Sequence, residues 1–211
     1  MYIKYHGHAC FEIGNNKKIV FDPHDGTSIG LPKPDPVADA VFITHEHFDH
    51  NAINVVKGKF SIVREANSGI VNGIKYDAVT QYHDDLKGKK RGEVKIYKVF
   101  LDGLSFTHVG DLGHIPDEKA LDLIKGSDFL FLPVGSVYTI DGNQAAEIVK
   151  ITRPRVAVPM HFYIPGSELK LEKIDKFISH FDKNQIKEVG KIKEFSKDDL
   201  KNNTEIWVFS V

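Results

Sequence analysis

The chain of 211 residues has 41% apolar and 27% charged side chains, the composition of an ordinary globular domain with its own core. Its 28 Lys and Arg residues against 29 Asp and Glu residues give a formal charge of -1, which argues against a surface that attracts nucleic acid or anionic membrane. The single cysteine, Cys10, excludes an internal disulfide framework and a CxxC zinc or redox motif.

No apolar run reaches the length of about 18 residues that a membrane-spanning helix needs, and no charged-then-apolar leader pattern begins the chain. We therefore expect a cytoplasmic protein that has no membrane partner. Cys10 lies in an apolar, β-prone run, so we expect it to pack as a small buried side chain rather than to act as a nucleophile.

The first half of the chain is predicted to consist mainly of strands. The strand-like runs, in chain order, are 2–5, 9–13, 18–21, 40–43, 60–64, 70–80, 93–101 and 104–108. Turn residues at 14–16 and at 102–103 predict hairpins between neighbouring strands. The proline-rich segment 23–36 and the polar segment 81–92 are predicted to be loops.

The second half alternates between helical and strand-like patterns. Helices are predicted at 117–124, 143–150 and 168–179, and strands at 129–132, 156–158 and 205–211. Strands followed by alternating helices and strands indicate a sheet-rich α/β fold. No linker, repeat or low-complexity tract interrupts the sequence, so we expect a single domain over residues 1–211.

Histidine is the residue type that stands out, with eleven copies beside two methionines and one tryptophan. The sharpest cluster is the segment Thr44-His45-Glu46-His47-Phe48-Asp49-His50, which follows an apolar strand. In an extended segment His45 and His47 point the same way, and a turn into a helix at Asp49 would carry Asp49 and His50 to an adjacent point. Imidazole and carboxylate groups suit Zn²⁺ best, with Fe and Mn as alternatives.

This segment supplies ligands for two neighbouring metal ions, but a complete dinuclear site needs more of them. Three further candidates each follow a predicted strand: His83, Asp111 and His161. Taken singly, each is as easily a structural histidine or a turn aspartate, and the joint arrangement carries the argument. We therefore expect these side chains to converge at one edge of the sheets.

Residues 44–50 resemble the HxHxDH signature of the metallo-β-lactamase superfamily. The segments around His83, Asp111 and His161 are similar to the remaining metal motifs of that superfamily. The segments 5–11, 21–23, 132–135 and 138–139 resemble its small, single-domain branch of metal-dependent hydrolases, which is similar to ascorbate-phosphate lactonase and to the phospholipase D that cleaves N-acylphosphatidylethanolamine. The resemblance covers nearly the whole chain and implies a four-layer αββα sandwich.

The resemblance also implies a ligand set and a reaction. His45, His47 and His83 would hold one ion, Asp49, His50 and His161 the second, and Asp111 would bridge them. Two Zn²⁺ ions would hold a bridging hydroxide at neutral pH, which would attack carbon or phosphorus of a phosphodiester or lactone. Asp49 is then both a ligand and the proton acceptor.

Several residues outside this ligand set are predicted to support the reaction. The predicted catalytic residues are Asp49, Tyr138, as a hydrogen-bond donor to a substrate oxyanion, and His108. Asp22 is predicted either to orient a ligand imidazole or to cap a turn. His6, His8, His24, His114 and Arg91 are predicted to orient ligands or contact substrate, with plain packing, or solvation of the basic loop 87–92, as the alternatives.

The leading function is a hydrolase acting on a small-molecule phosphodiester or cyclic ester. A metal-dependent nuclease is the main alternative, although the chain length and the net charge argue against a nucleic-acid partner. A di-iron redox protein is disfavoured because His47 stands where that branch carries Glu. A non-catalytic binding protein is disfavoured because the full ligand set is present.

Overall fold

The computed structural model describes residues 1–211, which form two β-sheets with three short α-helices. The strands are β1 (Tyr2–Gly7), β2 (Cys10–Gly14), β3 (Lys18–Phe21), β4 (Ala40–Phe42), β5 (Ser61–Val63), β6 (Gly69–Val71), β7 (Ile74–Tyr82), β8 (Glu93–Leu101), β9 (Leu104–His108), β10 (Phe129–Pro133), β11 (Val156–Met160), β12 (Ile186–Gly190), β13 (Ile192–Glu194) and β14 (Glu205–Phe209). The helices are α1 (Glu118–Ile124), α2 (Gly142–Thr152) and α3 (Asp175–Ile178).

The six-stranded sheet has the order β13-β1-β2-β3-β4-β5, and the eight-stranded sheet has the order β12-β14-β11-β10-β9-β8-β7-β6. β1, β2 and β3 are antiparallel neighbours, whereas β3, β4 and β5 are parallel. β9, β10 and β11 are parallel, and β7 runs in their direction because two antiparallel pairings separate it from β9. Strands of one direction therefore end at a common edge of each sheet.

The largest hydrophobic cluster lies between the two sheets. Alternate residues of each strand point into it, including Phe11 and Phe21 from one sheet and Phe131 from the other. The Phe11 and Phe131 rings have centroids 4.6 Å apart, so the two inner faces interlock directly. This aromatic layer holds the sheets in register and so fixes the relative positions of the strand ends.

The outer faces of the two sheets are covered differently. Behind the eight-stranded sheet, residues such as Leu130 and Leu132 pack against the helices in a second cluster. Behind the six-stranded sheet, Cys10, Val20 and Val41 pack with Val55 from a 3-10 turn, so this layer is built from loops and 3-10 turns. The predicted sandwich is confirmed, and Cys10 is the buried packing residue that we expected. None of the helices is long and apolar enough to cross a membrane.

The predicted helix at 168–179 is wrong over most of its length, since only Asp175–Ile178 is helical. The backbone of the preceding segment bonds to distant parts of the chain: the amide of Glu168 donates to the carbonyl of Ile29, and that of Glu172 to the carbonyl of Gly135. These contacts replace the i to i−4 bonds of a helix, although Leu171 is buried, as the spacing suggested.

Three further elements differ from the prediction. The predicted strand 70–80 is a hairpin, because Asn72 and Gly73 both have positive φ and form a tight turn between β6 and β7. The residues after Asp49 form a turn and a 3-10 segment at Ile53–Val55 rather than the helix proposed there. β12 and β13 were not predicted, since their side chains are mostly exposed and lack an alternating apolar pattern.

Candidate metal centre

The predicted ligands all follow strands that end at the same edge of the sandwich. His45 follows β4, His83 follows β7, Asp111 follows β9 and His161 follows β11. These strands run in a common direction within their sheets, so the loops after them meet. The predicted ligands therefore converge at one edge of the sheets, as their places after strands suggested.

Asp111 lies at the middle of the cluster. Its Oδ2 atom is 3.1 Å from Nε2 of His161, 3.3 Å from Nε2 of His50, 3.3 Å from Nε2 of His83 and 3.9 Å from Nε2 of His45. The carboxylate is 2% exposed. One buried carboxylate therefore faces imidazoles from both halves of the predicted ligand set.

The donor atoms divide into two main groups around that carboxylate. His45, His47 and His83 form one group, and His8, Asp49, His50 and His161 form the other, with the ligand atoms of each group within 4.8 Å of one another. Apart from His8, these are the two ligand sets that the sequence resemblance implied. Ligand atoms of Asp22, His45 and His50 also lie within 4.8 Å of one another. The hydrogen bonds of Asp22 to His50 and to Thr44, which contacts His45, account for this third group.

Asp22 orients two of the ligand imidazoles. Its Oδ2 atom accepts from Nδ1 of His50 at 3.0 Å and from the Thr44 hydroxyl at 2.6 Å, while its Oδ1 accepts from the Thr44 amide at 2.8 Å. Because the Thr44 hydroxyl donates to Asp22, Nδ1 of His45, 3.0 Å from that oxygen, must donate to it. His45 thereby keeps Nε2 free of a proton, the form in which histidine binds a metal, while the His50 ring is held in place through its Nδ1.

Buried polar atoms without partners show that this donor set fits metal ions. Nε2 of His45 and Oδ1 of Asp111 are buried and make no hydrogen bond. Nδ1 of His24, His83 and His161 is also buried and unpaired, but an ion bound through Nε2 of these rings would not contact Nδ1. Buried polar atoms are nearly always paired, so an imidazole nitrogen and a carboxylate oxygen unpaired in one cluster require an explanation. Divalent cations satisfy imidazole nitrogen and carboxylate oxygen together.

Burial and mutual proximity shift the pKa values of the cluster. Burial lowers the pKa of His45 well below its usual value, with the neighbouring His50 adding to the effect. Burial would also lower the pKa of His50, but the carboxylates of Asp111, Asp22 and Asp49 raise it well above the usual value. Against the opposing effect of burial, the imidazoles of His161 and His50 hold the pKa of Asp111 well below its ordinary value. The carboxylates attract positive charge into the site.

Two glycines allow the backbone to place the ligands. Gly110 has φ of 56°, and a Cβ there would come 2.5 Å from the Thr44 hydroxyl oxygen. A Cβ on Gly135 would come 2.0 Å from the carbonyl oxygen of His161. Asp111 and His161 can therefore take their positions only because these neighbouring residues have no side chain.

The cluster opens into a cavity of about 340 Å³. The cavity is lined by His47, Phe48, Asp49, His83, Arg91, Asp111, Tyr138, His161 and Leu169. The Arg91 guanidinium lies 4.8 Å from the centre of the Tyr138 ring, so both residues predicted to contact substrate stand together at the cavity. Phe48 is 59% exposed, which adds apolar surface at the opening.

The loop that carries Arg91 is organised by Asp84, directly after the ligand His83. The Asp84 carboxylate accepts hydrogen bonds from the backbone amides of Leu86, Gly88, Lys90 and Arg91, at 2.8 to 2.9 Å. The backbone of the basic loop 87–92 is therefore wound around one carboxylate, while the side chains of Lys87, Lys89 and Lys90 are exposed.

The remaining predicted residues lie around the cluster without lining its cavity. Nε2 of His108 is 3.0 Å from the carbonyl oxygen of Ala9, and its Nδ1 accepts from the Gly110 amide, so both ring nitrogens are engaged by backbone. His24 bonds the carbonyl of His6, and His6 bonds Glu12. His114 contacts the backbone of Ile115 and of Tyr82 and faces a neighbouring cavity. These geometries suit residues that position the cluster. They do not place His108 where the predicted catalytic residue would contact substrate.

The sequence did not predict the roles of Thr44, Asp84 and Leu169 at the site. Thr44 was treated only as the first residue of the motif, although a hydroxyl next to a ligand histidine is a candidate partner for its ring. The acidic residue after His83, followed by a glycine-rich basic loop, was a usable signal for Asp84. Leu169 gave no signal, because its segment was assigned to a helix.

Comparison with known proteins agrees with this fold. The profile of the β-lactamase superfamily domain matches residues 2–161. A UPF0173 metal-dependent hydrolase of Thermococcus onnurineus is 32% identical, with 76% of this chain and 84% of the relative covered. The corresponding protein of Thermoplasma acidophilum is 28% identical, with 76% and 82% covered.

Among solved structures, a metallo-β-lactamase superfamily protein from Thermotoga maritima superposes with a TM-score of 0.83 at 31% identity, covering 100% of this chain and 98% of that one. The chain belongs to the β-lactamase superfamily, within its family of UPF0173 metal-dependent hydrolases. The predicted superfamily and the small metal-dependent hydrolase branch are confirmed.

Proposed function

We propose that this protein is a dinuclear zinc hydrolase that cleaves a phosphodiester or a cyclic ester of a small molecule. The observation that carries the proposal is the pair of donor groups on either side of the buried Asp111 carboxylate. Imidazole with carboxylate is a typical Zn²⁺ donor set, and the Thermotoga maritima neighbour is named as a Zn-dependent hydrolase. Fe and Mn are the alternative ions.

His45, His47 and His83 would hold one ion, Asp49, His50 and His161 the other, and Asp111 would contact both. Bound divalent ions would promote ionisation of water near neutral pH and neutralise negative charge that develops on the substrate. The protein then needs no nucleophilic side chain of its own. Its contribution is to hold the donors and to shape the cavity.

The cavity residues provide the other functions that the reaction requires. Asp49 lines the cavity, so its carboxylate is placed to accept a proton from the attacking water. The Tyr138 hydroxyl would donate a hydrogen bond to the developing oxyanion. Arg91 would attract an anionic group of the substrate.

The size and surroundings of the cavity favour a small substrate. A volume of about 340 Å³ suits a small ester, and Phe48 and Leu169 supply apolar contacts beside the polar groups. The formal charge of -1 gives no long-range attraction for nucleic acid. We accordingly propose a small-molecule partner, no nucleic-acid or membrane partner, and a cytoplasmic location.

The test combines metal analysis with a hydrolysis screen. Zinc-loaded protein should contain two equivalents of metal and should hydrolyse a member of a panel of phosphodiesters, lactones, thioesters, β-lactams and a short RNA. Turnover of RNA alone would contradict the small-molecule proposal. Binding of one equivalent under saturating zinc would contradict the dinuclear centre.

Substitution of Asp49 tests the proton acceptor and the second ion position together. We expect Asp49→Ala to abolish turnover, because it removes a ligand and the proposed base. Asp25→Ala, which changes an aspartate outside the cluster, is the control and should retain activity. Full activity of Asp49→Ala, measured with the substrate found in the screen, would overturn this mechanism.

A further inference from the structure

The imidazole of His8 points into the second donor group. Its Nε2 atom is 3.1 Å from Oδ2 of Asp49 and 3.2 Å from Nε2 of His50. Its ring centroid is 4.2 Å from that of His161. His8 thus contacts the three residues proposed to hold the second ion, although it lies in the turn after β1, a segment that carries none of the other ligands.

The backbone holds His8 in this position at a conformational cost. His8 has φ of 57°, a left-handed conformation that is uncommon for residues other than glycine. Its carbonyl oxygen accepts from the His161 amide at 2.9 Å and from the Tyr5 hydroxyl at 3.0 Å. Strained backbone persists where the surrounding structure enforces it, and it is concentrated at functional sites. Here it ties His8 directly to the ligand His161.

Hydrogen bonding alone does not account for the surroundings of the His8 ring. Nδ1 of His50 donates to Asp22, which leaves Nε2 of His50 as an acceptor. A proton on Nε2 of His8 could serve either that nitrogen or the Asp49 carboxylate, and without a proton two nitrogen lone pairs would face each other at 3.2 Å. A cation among these atoms would satisfy the His8 nitrogen, the His50 nitrogen and the carboxylate together.

We infer that His8 is a fourth protein ligand of the second ion position, beside Asp49, His50 and His161. This inference rests on the proposed dinuclear centre. With Asp111 shared, the second position would then have five protein ligands, and the first would have His45, His47, His83 and Asp111. The second position would therefore have one more protein ligand than the first.

The experiment measures metal binding rather than activity. His8→Gly and His8→Asn are both suited to the positive φ at this position, so both variants are expected to fold. His6→Asn is the matched control, since His6 is a buried histidine two residues earlier in the chain that bonds Glu12 and does not belong to the donor cluster. Zn²⁺ affinity is measured by competition with a chelator, and the coordination of Co²⁺ by its visible absorption spectrum.

We expect wild type and His6→Asn to bind two ions, whereas one of the two affinities falls by more than about 100-fold in both His8 variants. Loss of an orienting residue typically costs about 10- to 100-fold, so a ligand should cost more. The Co²⁺ spectrum of His8→Gly should change, and free imidazole should restore both the affinity and the spectrum by filling the space left by the ring.

The outcomes separate this inference from the proposed function. A wild-type chain that binds only one ion overturns the dinuclear proposal itself. If wild type binds two ions while His8→Gly has the wild-type Co²⁺ spectrum, only the assignment of His8 is overturned. A loss within about 100-fold that imidazole does not restore also overturns the assignment, because it is the effect expected of an orienting hydrogen bond.

Discussion

At the scale of single residues, Asp22 and Thr44 decide which nitrogen of each imidazole faces the metal positions. Asp22 is fully buried and reaches His50 directly and His45 through the Thr44 hydroxyl. An imidazole whose outer nitrogen donates to a fixed acceptor has its inner nitrogen free for the ion. A single carboxylate thus prepares ligands for both donor groups.

Asp22→Asn is expected to weaken metal binding by about 10- to 100-fold, because an amide cannot accept all of these hydrogen bonds. The measurement is the Zn²⁺ affinity by chelator competition. Asp35→Asn is the control, since the Asp35 side chain is 63% exposed and pairs only with lysines. An affinity of Asp22→Asn equal to that of wild type would show that Asp22 only caps its turn.

At the scale of elements, the loop after β7 depends on Asp84 and presents Arg91 at the cavity. We expect Asp84→Ala to remove the hydrogen-exchange protection of the amides of Leu86, Gly88, Lys90 and Arg91, since they lose their shared acceptor. Asp85→Ala, at the exposed neighbouring position, is the control. Unchanged protection in Asp84→Ala would mean that other contacts hold the loop.

The same loop should respond to pH. Although burial opposes the effect, hydrogen bonds from the backbone amides hold the pKa of Asp84 below its ordinary value. A carboxylate with a lowered pKa in the folded state stabilises that state above its unfolded pKa, and the stabilisation is lost as pH falls through the folded value. Protection factors of the loop amides should therefore be constant near neutrality and decrease in acid, whereas the Asp84→Ala loop should lack this acid-dependent step.

The start of α2 shows a second element that one side chain stabilises. The Asp141 carboxylate accepts from the amides of Asn143 and Gln144, and the Gln144 side chain accepts from the Asp141 amide, which completes a capping box. Asp141→Ala should lower the free energy of unfolding by about 0.5 to 2 kcal/mol. Denaturant unfolding measures the change, with the exposed Asp122→Ala in α1 as control. A change no larger than that of the control would contradict this.

At the scale of the whole molecule, metal binding should stabilise the fold, because the donors lie in loops that follow strands of both sheets. An ion that binds only the folded chain adds about 4.1 kcal/mol at a free concentration 1,000 times its Kd. Chelation should therefore lower Tm substantially, and restoring Zn²⁺ should raise it again. A Tm that does not depend on zinc would contradict a metal centre that joins the sheets, with Asp111→Ala as the variant expected to lose the dependence.

Local sequence patterns were sufficient to predict the strands that enter the core and the motif at 44–50. Alternating apolar residues identify a buried strand without knowledge of its neighbours, and closely spaced ligand residues follow one strand end. The predictions failed where the backbone is held by distant partners. Residues 168–174 have helical spacing, but hydrogen bonds to Ile29 and Gly135 hold them in an irregular path.

The amino-acid sequence determined the superfamily, the strand-rich order of elements and the identity of seven predicted ligands, because these depend on residue type and short spacing. Only the tertiary structure decided that Thr44 relays Asp22 to His45, that Asp84 winds the loop of Arg91, and that His8 points at Asp49 and His50. The physical reason is that each of these contacts depends on side-chain direction and on how the packed sheets place separate loops. The spacing of residues along the chain gives neither the direction of a side chain nor the relative position of two loops.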